Sequence, residues 1–206
     1  MGWWCAGAAL IAWWLTQWWI IHVGVDWGPQ GDGLLLLSTV GIFIAGAHTL
    51  GELNLRRAPP WSRTWRTTVS ALTAGLCILF CWWFWGVLRG LFFDEEVHSV
   101  HLVDSSVVSL SYYWGLFAMV GISSGFGPLC VRKFRGWISH LCGGLAAGLC
   151  GAIVWHLLGN SELGTDLYVS SLVLSMLWGF LYGLLIWGIP SDLYAGWIRV
   201  MSADRY

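Results

Sequence analysis

Six long apolar segments constrain the fold of this chain more than any other feature. A helix needs about 20 mostly apolar residues to cross about 30 Å of hydrocarbon. Segments of that kind lie near 3–23, 33–53, 67–91, 107–129, 137–158 and 167–189. Because backbone groups in lipid need internal hydrogen bonds, these segments are expected to be helices. The sequence therefore predicts an all-α, polytopic integral membrane helical bundle, with residues 1–206 forming a single transmembrane domain.

The composition and the short connections exclude a soluble catalytic or binding domain. Apolar residues make up 57% of the chain and charged residues 10%, far from the balance of a soluble domain. The first segment begins at Trp3 without a basic stretch before it, and it is longer than the apolar region of a typical signal peptide. We therefore expect it to be a retained span.

The connections alternate in charge, and this alternation predicts the orientation. Basic residues collect in the second connection, the fourth connection and the C-terminal tail: Arg56, Arg57, Arg63, Arg66, Arg132, Lys133, Arg135, Arg199 and Arg205. Acidic residues without basic ones occupy the other three: Asp26, Asp32, Asp94, Glu95, Glu96, Asp104, Glu162 and Asp166. Since Lys and Arg stay cytoplasmic, both termini and the basic connections are predicted to lie on the cytoplasmic side. The membrane is expected to be a plasma membrane or a bacterial inner membrane. The basic face is expected to meet anionic lipid headgroups, with no nucleic-acid partner.

The chain is rich in tryptophan, with 18 in total, and most lie at predicted span ends, where indoles prefer the headgroup level. Four lie deeper: Trp13, Trp14, Trp114 and Trp178. Packing or lipid contact is the expected role of these four, with stacking on a pigment or haem as the alternative.

Small residues recur at helical spacing in the last three spans. They form one face on each helix, made by Gly121 and Gly125, by Gly144 and Gly148, and by Ser175, Gly179 and Gly183. Such faces let helices approach closely in lipid. A second face, Gly143, Ala147 and Gly151, makes the fifth span the predicted centre of the bundle. Packing within one chain is the expected use, and contact with a second copy or another membrane subunit is the alternative.

A short internal repeat accompanies two of the basic turns. The segment from Gly51 to Arg57 resembles the segment from Gly127 to Lys133, and Ala-Gly-Leu-Cys occurs at 74–77 and again at 147–150. Both copies read as helix, basic turn, helix. A duplicated hairpin in parallel orientation explains the repeat, and shared membrane constraints are the alternative explanation.

Ionisable residues within spans are costly and therefore mark functional positions. Candidates near the inner ends are His48, Glu52 and His140, and candidates near the outer ends are His22, Arg89 and His156. The predicted spans carry no carboxylate at mid-membrane, which disfavours a cation-coupled carrier. Haem is a possible cofactor, ligated by His48 with His140 or by His22 with His156. The two histidines of the fifth span point to nearly opposite sides of that helix, so two haems stacked on one face are excluded.

Two serine patterns raise the question of nucleophilic catalysis. The segment from Gly121 to Gly125 matches G-x-S-x-G by letter, but it lies inside a span and not at a strand-to-helix turn. Ser124-Gly125 and the segment from His140 to Gly148 resemble the serine and histidine motifs of rhomboid intramembrane proteases. The resemblance covers about a tenth of the chain and implies Ser124 as nucleophile and His140 as base. It departs from the family at Ile122, where glycine is expected, and in having the two helices consecutive.

These features favour a non-enzymatic membrane bundle that acts as a subunit or scaffold of a membrane complex, or as a homo-oligomer, through its glycine-rich faces. A small channel or transporter is the alternative, with polar residues to line a route: Gln17, Ser123, Ser124 and Asn160. A b-type haem subunit and a rhomboid-like protease are further alternatives. The six cysteines include no C-x-x-C pair or zinc spacing, so no metal site is predicted.

Overall fold

The computed structural model describes residues 1–23, 28–92, 105–134, 137–159 and 167–186, with side chains described over 1–23, 33–87, 114–134, 137–157 and 169–186. It contains six helices over these residues and no strand. The helices are α1 (Gly2–Val23), α2 (Gly28–Leu55), α3 (Pro60–Phe92), α4 (Ser105–Val131), α5 (Trp137–Gly159) and α6 (Leu167–Leu185). Each predicted span coincides with one helix, and the predicted all-α bundle is confirmed.

Five of the six helices, α1 to α5, are long and apolar enough to cross a membrane. The apolar part of α6 with described side chains, Val169–Leu185, is shorter, and the predicted span continues to 189, outside the described residues. The composition of the helices therefore indicates a membrane protein.

The helices form a closed ring in which even-numbered helices lie toward the centre. Over the described residues, α1 packs between α2 and α6, α3 packs between α2 and α4, and α5 packs between α4 and α6. Helix α2 also packs against α4 and, less extensively, α6. The prediction that α5 is the centre is wrong. Its two small faces correctly indicate two neighbouring helices, α4 and α6, but α2 packs against α1, α3, α4 and α6.

The two repeated basic turns have the same backbone structure. At the end of α2, the amide of Ala58 donates to the carbonyl of Leu53 and the amide of Arg57 donates to that of Asn54, both at 3.0 Å. Equivalent bonds end α4, from Phe134 to Leu129 and from Lys133 to Cys130. This is the Schellman motif, whose left-handed position is usually glycine. Here it is a basic residue in both turns, Arg57 and Lys133, each with φ of 52°.

Large apolar side chains occupy both the interior and the outer surface of the bundle. Trp178, Tyr182, Ile44 and Ile78 are fully buried. Exposed apolar side chains concentrate on the outer faces of α1 and α3, among them Ile11, Trp14, Trp18, Leu72, Leu76, Phe80 and Trp83. A soluble protein rarely exposes so many contiguous apolar groups, whereas lipid covers them without cost.

Candidate functional site

Helices α4 and α5 cross in backbone contact at the predicted small-residue faces. A Cβ on Gly121 would overlap the carbonyl oxygen of Gly144, and one on Gly148 would overlap that of Phe117. A Cβ on Gly125 would lie 2.7 Å from the carbonyl oxygen of His140. These glycines therefore contact their own chain and hold His140 close to α4.

The small face of α6 lies against the first turns of α1. A Cβ on Gly179 would lie 2.7 Å from the carbonyl oxygen of Cys5, and one on Gly183 would lie 2.9 Å from the Cα of Gly2. Ser175, on the same face, is buried and donates to the carbonyl of Ser171 at 2.7 Å. This face thus closes the ring between α6 and α1.

The second small face of α5 lies on α6. Gly143 approaches the carbonyl of Leu185, and Gly151 lies beside the rings of Phe117 and Trp178. Both predicted faces of α5 are consequently occupied by neighbouring helices of the same chain.

A cluster of buried polar side chains lies where α2, α4, α5 and α6 converge near the basic turns. We call it the buried polar cluster, and its members are His48, Glu52, Ser124, Arg132, His140 and Tyr182. The ring centroids of His48 and His140 are 6.2 Å apart, and those of His48 and Tyr182 are 6.0 Å apart. Both imidazoles are completely buried. The cluster thus brings ionisable groups from α2 and α5 together inside the bundle.

Glu52 joins the ends of α2 and α4. One carboxylate oxygen pairs with Arg56 at 2.9 Å, and the other pairs with Arg132 at 2.6 Å. The carboxylate side chain is 7% exposed and that of Arg132 is 16% exposed, so the pair is mostly removed from solvent. Arg56 and Arg132 occupy equivalent places in the internal repeat, and the two basic turns therefore lie at the same end of the bundle.

Tyr182 satisfies a carbonyl that α4 leaves open. Pro128 lies in the last turn of α4, and because proline has no amide hydrogen, the carbonyl of Ser124 lacks its helical donor. The phenolic hydroxyl of Tyr182 donates to that carbonyl at 2.7 Å. A neighbouring helix thus supplies the missing bond, as lipid immersion requires.

Hydroxyl groups connect α2 and α3 beside the cluster. Thr49 donates to the hydroxyl of Ser70 at 2.7 Å, and Ser70 donates to the carbonyl of Ala45 at 3.2 Å. A Cβ on Gly127 would overlap the Ser70 carbonyl, so α3 and α4 also touch here. These bonds fix the face of α2 on which His48 lies.

The two histidine pairs proposed as haem ligands have different outcomes. His48 and His140 lie side by side in the buried polar cluster. His22 is exposed, stacks on Trp18 and contacts the Trp18 carbonyl through Nδ1 at 2.9 Å, and His156 is exposed on α5. Helices α1 and α5 are not packed against one another over the described residues. The structure therefore brings together the inner pair and not the outer pair.

Neither serine of the G-x-S-x-G segment is arranged as a nucleophile. The Ser124 hydroxyl donates to the carbonyls of Val120 and Gly121 at 2.8 and 3.0 Å, and the Ser123 hydroxyl donates to that of Met119 at 2.7 Å. Both hydroxyls thus bond back to carbonyls of α4 itself, and that of Ser123 also lies 3.1 Å from the sulfur of Cys81 on α3. The rhomboid-like alternative requires the Ser124 hydroxyl to donate to a histidine base. In the structure this hydroxyl donates to carbonyls one turn earlier in its own helix.

The remaining candidate residues differ in burial, and two of them lie wholly or partly outside the described residues. Trp178 is buried, Trp13 is buried and donates to the Ser171 hydroxyl at 2.9 Å, and Trp14 is 58% exposed. Trp114 and Gln17 are half-buried. The side chain of Arg89 and all of Asn160 lie outside the described residues.

Sequence reasoning missed Arg132 and Tyr182 as members of the site. In the sequence Arg132 counts as a charge of the fourth connection, and the predicted orientation places it at the same end of the bundle as Glu52. Tyr182 gave no signal of its own, but the demand for a donor at Ser124 follows from Pro128. The cluster thus places two imidazoles side by side, close to a carboxylate that is already paired with arginine. No family model, curated protein or solved structure matches this chain.

Proposed function

We propose that this chain is a non-enzymatic membrane subunit or scaffold that works by contact with partner subunits or with further copies of itself. Under this proposal it resides in a plasma or bacterial inner membrane, with the basic turns and both termini in the cytoplasm.

The observation that carries the proposal is the filling of the bundle centre. Trp178, Tyr182, Ile44 and Val120 are buried there to 1% exposure or less, and backbones meet directly at the α4–α5 crossing. A channel or carrier needs a polar, hydrated path across the membrane, whereas over the described residues this centre is filled by side chains that are apolar except at the buried polar cluster near the basic turns. A filled bundle favours a function exerted through its outer surface.

The glycine faces do not provide that surface in our proposal, because the helices of the same chain already cover them. Partner contact is instead assigned to helix faces turned outward, which compete with lipid for any partner. Assembly is therefore proposed to use the outer faces of the bundle and not the glycine faces.

Photo-crosslinking in native membranes tests the proposal. A photoreactive amino acid at Leu76 or Ile11, which are 68% and 55% exposed, is expected to give a discrete higher-mass adduct that mass spectrometry identifies. The same amino acid at Ile44, which is fully buried, is the matched control and is expected to give none. A monomer that crosslinks only to lipid, and that carries solute into liposomes, would contradict the proposal and favour a small carrier.

A further inference from the structure

We propose that His48 and His140 bind one monovalent copper ion between their imidazoles, inside the buried polar cluster. The proposal does not depend on the subunit role, because it concerns a ligand in the interior and not a contact at the outer surface.

The first step is the unmet hydrogen-bonding capacity of His48. Its ring is fully buried, and both nitrogens lack a hydrogen-bond partner among the described residues. A buried polar group left in this way destabilises the fold, and in lipid no bulk water relieves that cost. A bound ligand that accepts the lone pair of a ring nitrogen removes part of it.

The second step is the spacing of the two imidazoles. Two imidazoles bound in line to one ion, each at a metal–nitrogen distance of about 2 Å, place their ring centroids about 6 Å apart. The centroids of His48 and His140 are 6.2 Å apart, with the ring planes at 81°. Imidazole is a common ligand for copper, zinc, iron and nickel. The spacing of the two ring centroids therefore matches that of two imidazoles bound to a shared ion.

The third step is the room beside the pair, which separates a single ion from haem. On the α4 side, Gly125 lies in close contact with the carbonyl of His140. Tyr182 lies against His48 and is held there by its bond to the Ser124 carbonyl. A porphyrin would have to part these helices, whereas a single ion needs only the space between two rings.

The fourth step is charge, which favours a monovalent ion over a divalent one. Arg132 belongs to the same cluster as His48, and the nearby carboxylate of Glu52 is already paired with Arg56 and Arg132. The cost of burying an ion rises steeply with its charge, so a divalent cation would lack compensation here. The described residues also hold no group of three or more His, Cys, Asp or Glu placed to bind a metal. Two neutral donors suit monovalent copper, which accepts linear two-coordinate binding.

Copper titration of the purified chain in detergent, under anaerobic reducing conditions and against a chromophoric copper(I) chelator, tests the proposal. One ion per chain is expected, with X-ray absorption showing nitrogen neighbours at about 2 Å and not sulfur at about 2.3 Å. His48→Gln and His140→Gln are each expected to abolish this binding. His22→Gln and His156→Gln, at exposed imidazoles, are the matched controls and are expected to retain it.

Thermal unfolding of each variant separates loss of the ligand from loss of the fold. Copper is expected to raise the melting temperature of the parent chain and of both control variants. It is expected to leave the melting temperatures of the two site variants unchanged. Sulfur neighbours would assign the copper to the cysteines and overturn the proposal. A Soret band in the material as purified would overturn it in favour of haem, and a failure to bind stoichiometric copper would overturn it outright.

Discussion

The hydroxyl of Tyr182 donates to the carbonyl of Ser124 at 2.7 Å, the carbonyl that Pro128 leaves without its helical partner. The bond ties α6 to α4 at the level of the buried polar cluster. The hydrogen bond that Pro128 removes from α4 is thus replaced by one from a neighbouring helix, which is one way in which prolines are accommodated in membrane helices.

Tyr182→Phe is expected to destabilise the chain by about 1–2 kcal/mol, because a buried carbonyl loses its donor. Pro128→Ala restores an amide hydrogen to α4 and offers the Ser124 carbonyl a donor within its own helix. The double variant should therefore lose less stability than the sum of the two single variants. Unfolding in mixed detergent micelles measures this cycle, and strictly additive effects would contradict the assignment.

Substitutions at the α4–α5 crossing test the backbone contact. Gly148→Ala and Gly144→Ala each place a Cβ on a carbonyl of α4, and each is expected to cost about 1–3 kcal/mol through overpacking. Gly7→Ala and Gly86→Ala provide matched controls, because a Cβ at either position meets open space. Since alanine is the better helix former by about 1 kcal/mol, the controls are expected to be neutral or stabilising. Equal losses at all four positions would show that the crossing is not the cause.

Glu52→Gln is expected to destabilise the chain by about 1–3 kcal/mol, because it leaves the mostly buried Arg132 without its counter-charge. Arg56→Gln removes the more exposed partner of the same carboxylate and is expected to cost less than about 1 kcal/mol. Thermal unfolding of both variants in detergent gives the comparison. If Arg56→Gln were the more damaging change, the carboxylate would be acting mainly on the α2 turn and not as a link to α4.

Labelling with a membrane-impermeant thiol reagent tests the proposed orientation. In a background without native cysteines, Arg57→Cys and Lys133→Cys are expected to stay unlabelled in intact cells and to react after the membrane is opened. Asp94→Cys, in the connection between α3 and α4, is expected to react in intact cells. Labelling of Arg57→Cys and Lys133→Cys on opposite sides would contradict the fold itself, because Glu52 holds both turns at one end of the bundle.

The positions of the helices were predictable, and the choice of neighbours was not. Hydropathy locates α1 to α6 because the length of an apolar segment is set by the solvent it crosses. Glycine spacing likewise marks the surfaces of α4, α5 and α6 that come close. Neither signal reports how many neighbouring helices a helix has, so neither identifies α2 as the central helix.

The same distinction explains the histidines. His48 and His140 were paired by their depth in the membrane, and their helices bring them together. His22 and His156 also lie near one predicted membrane depth, but α1 packs between α2 and α6 whereas α5 packs between α4 and α6. Depth in the membrane does not tell which helices are neighbours. The link from Glu52 to Arg132 and the bond from Tyr182 to Ser124 depend on tertiary contacts of the same kind, far apart along the chain.

Arginine and lysine stand at the two left-handed turn positions where glycine would fold with less strain, a conformation that costs a side chain about 1–3 kcal/mol. Under the proposed orientation, the positive charges at these two positions act during membrane insertion, before the chain folds. Cationic residues influence the orientation of the nascent polypeptide before any tertiary contact exists. Glycine at both sites would therefore lower the backbone strain but weaken the charge signal that sets the orientation.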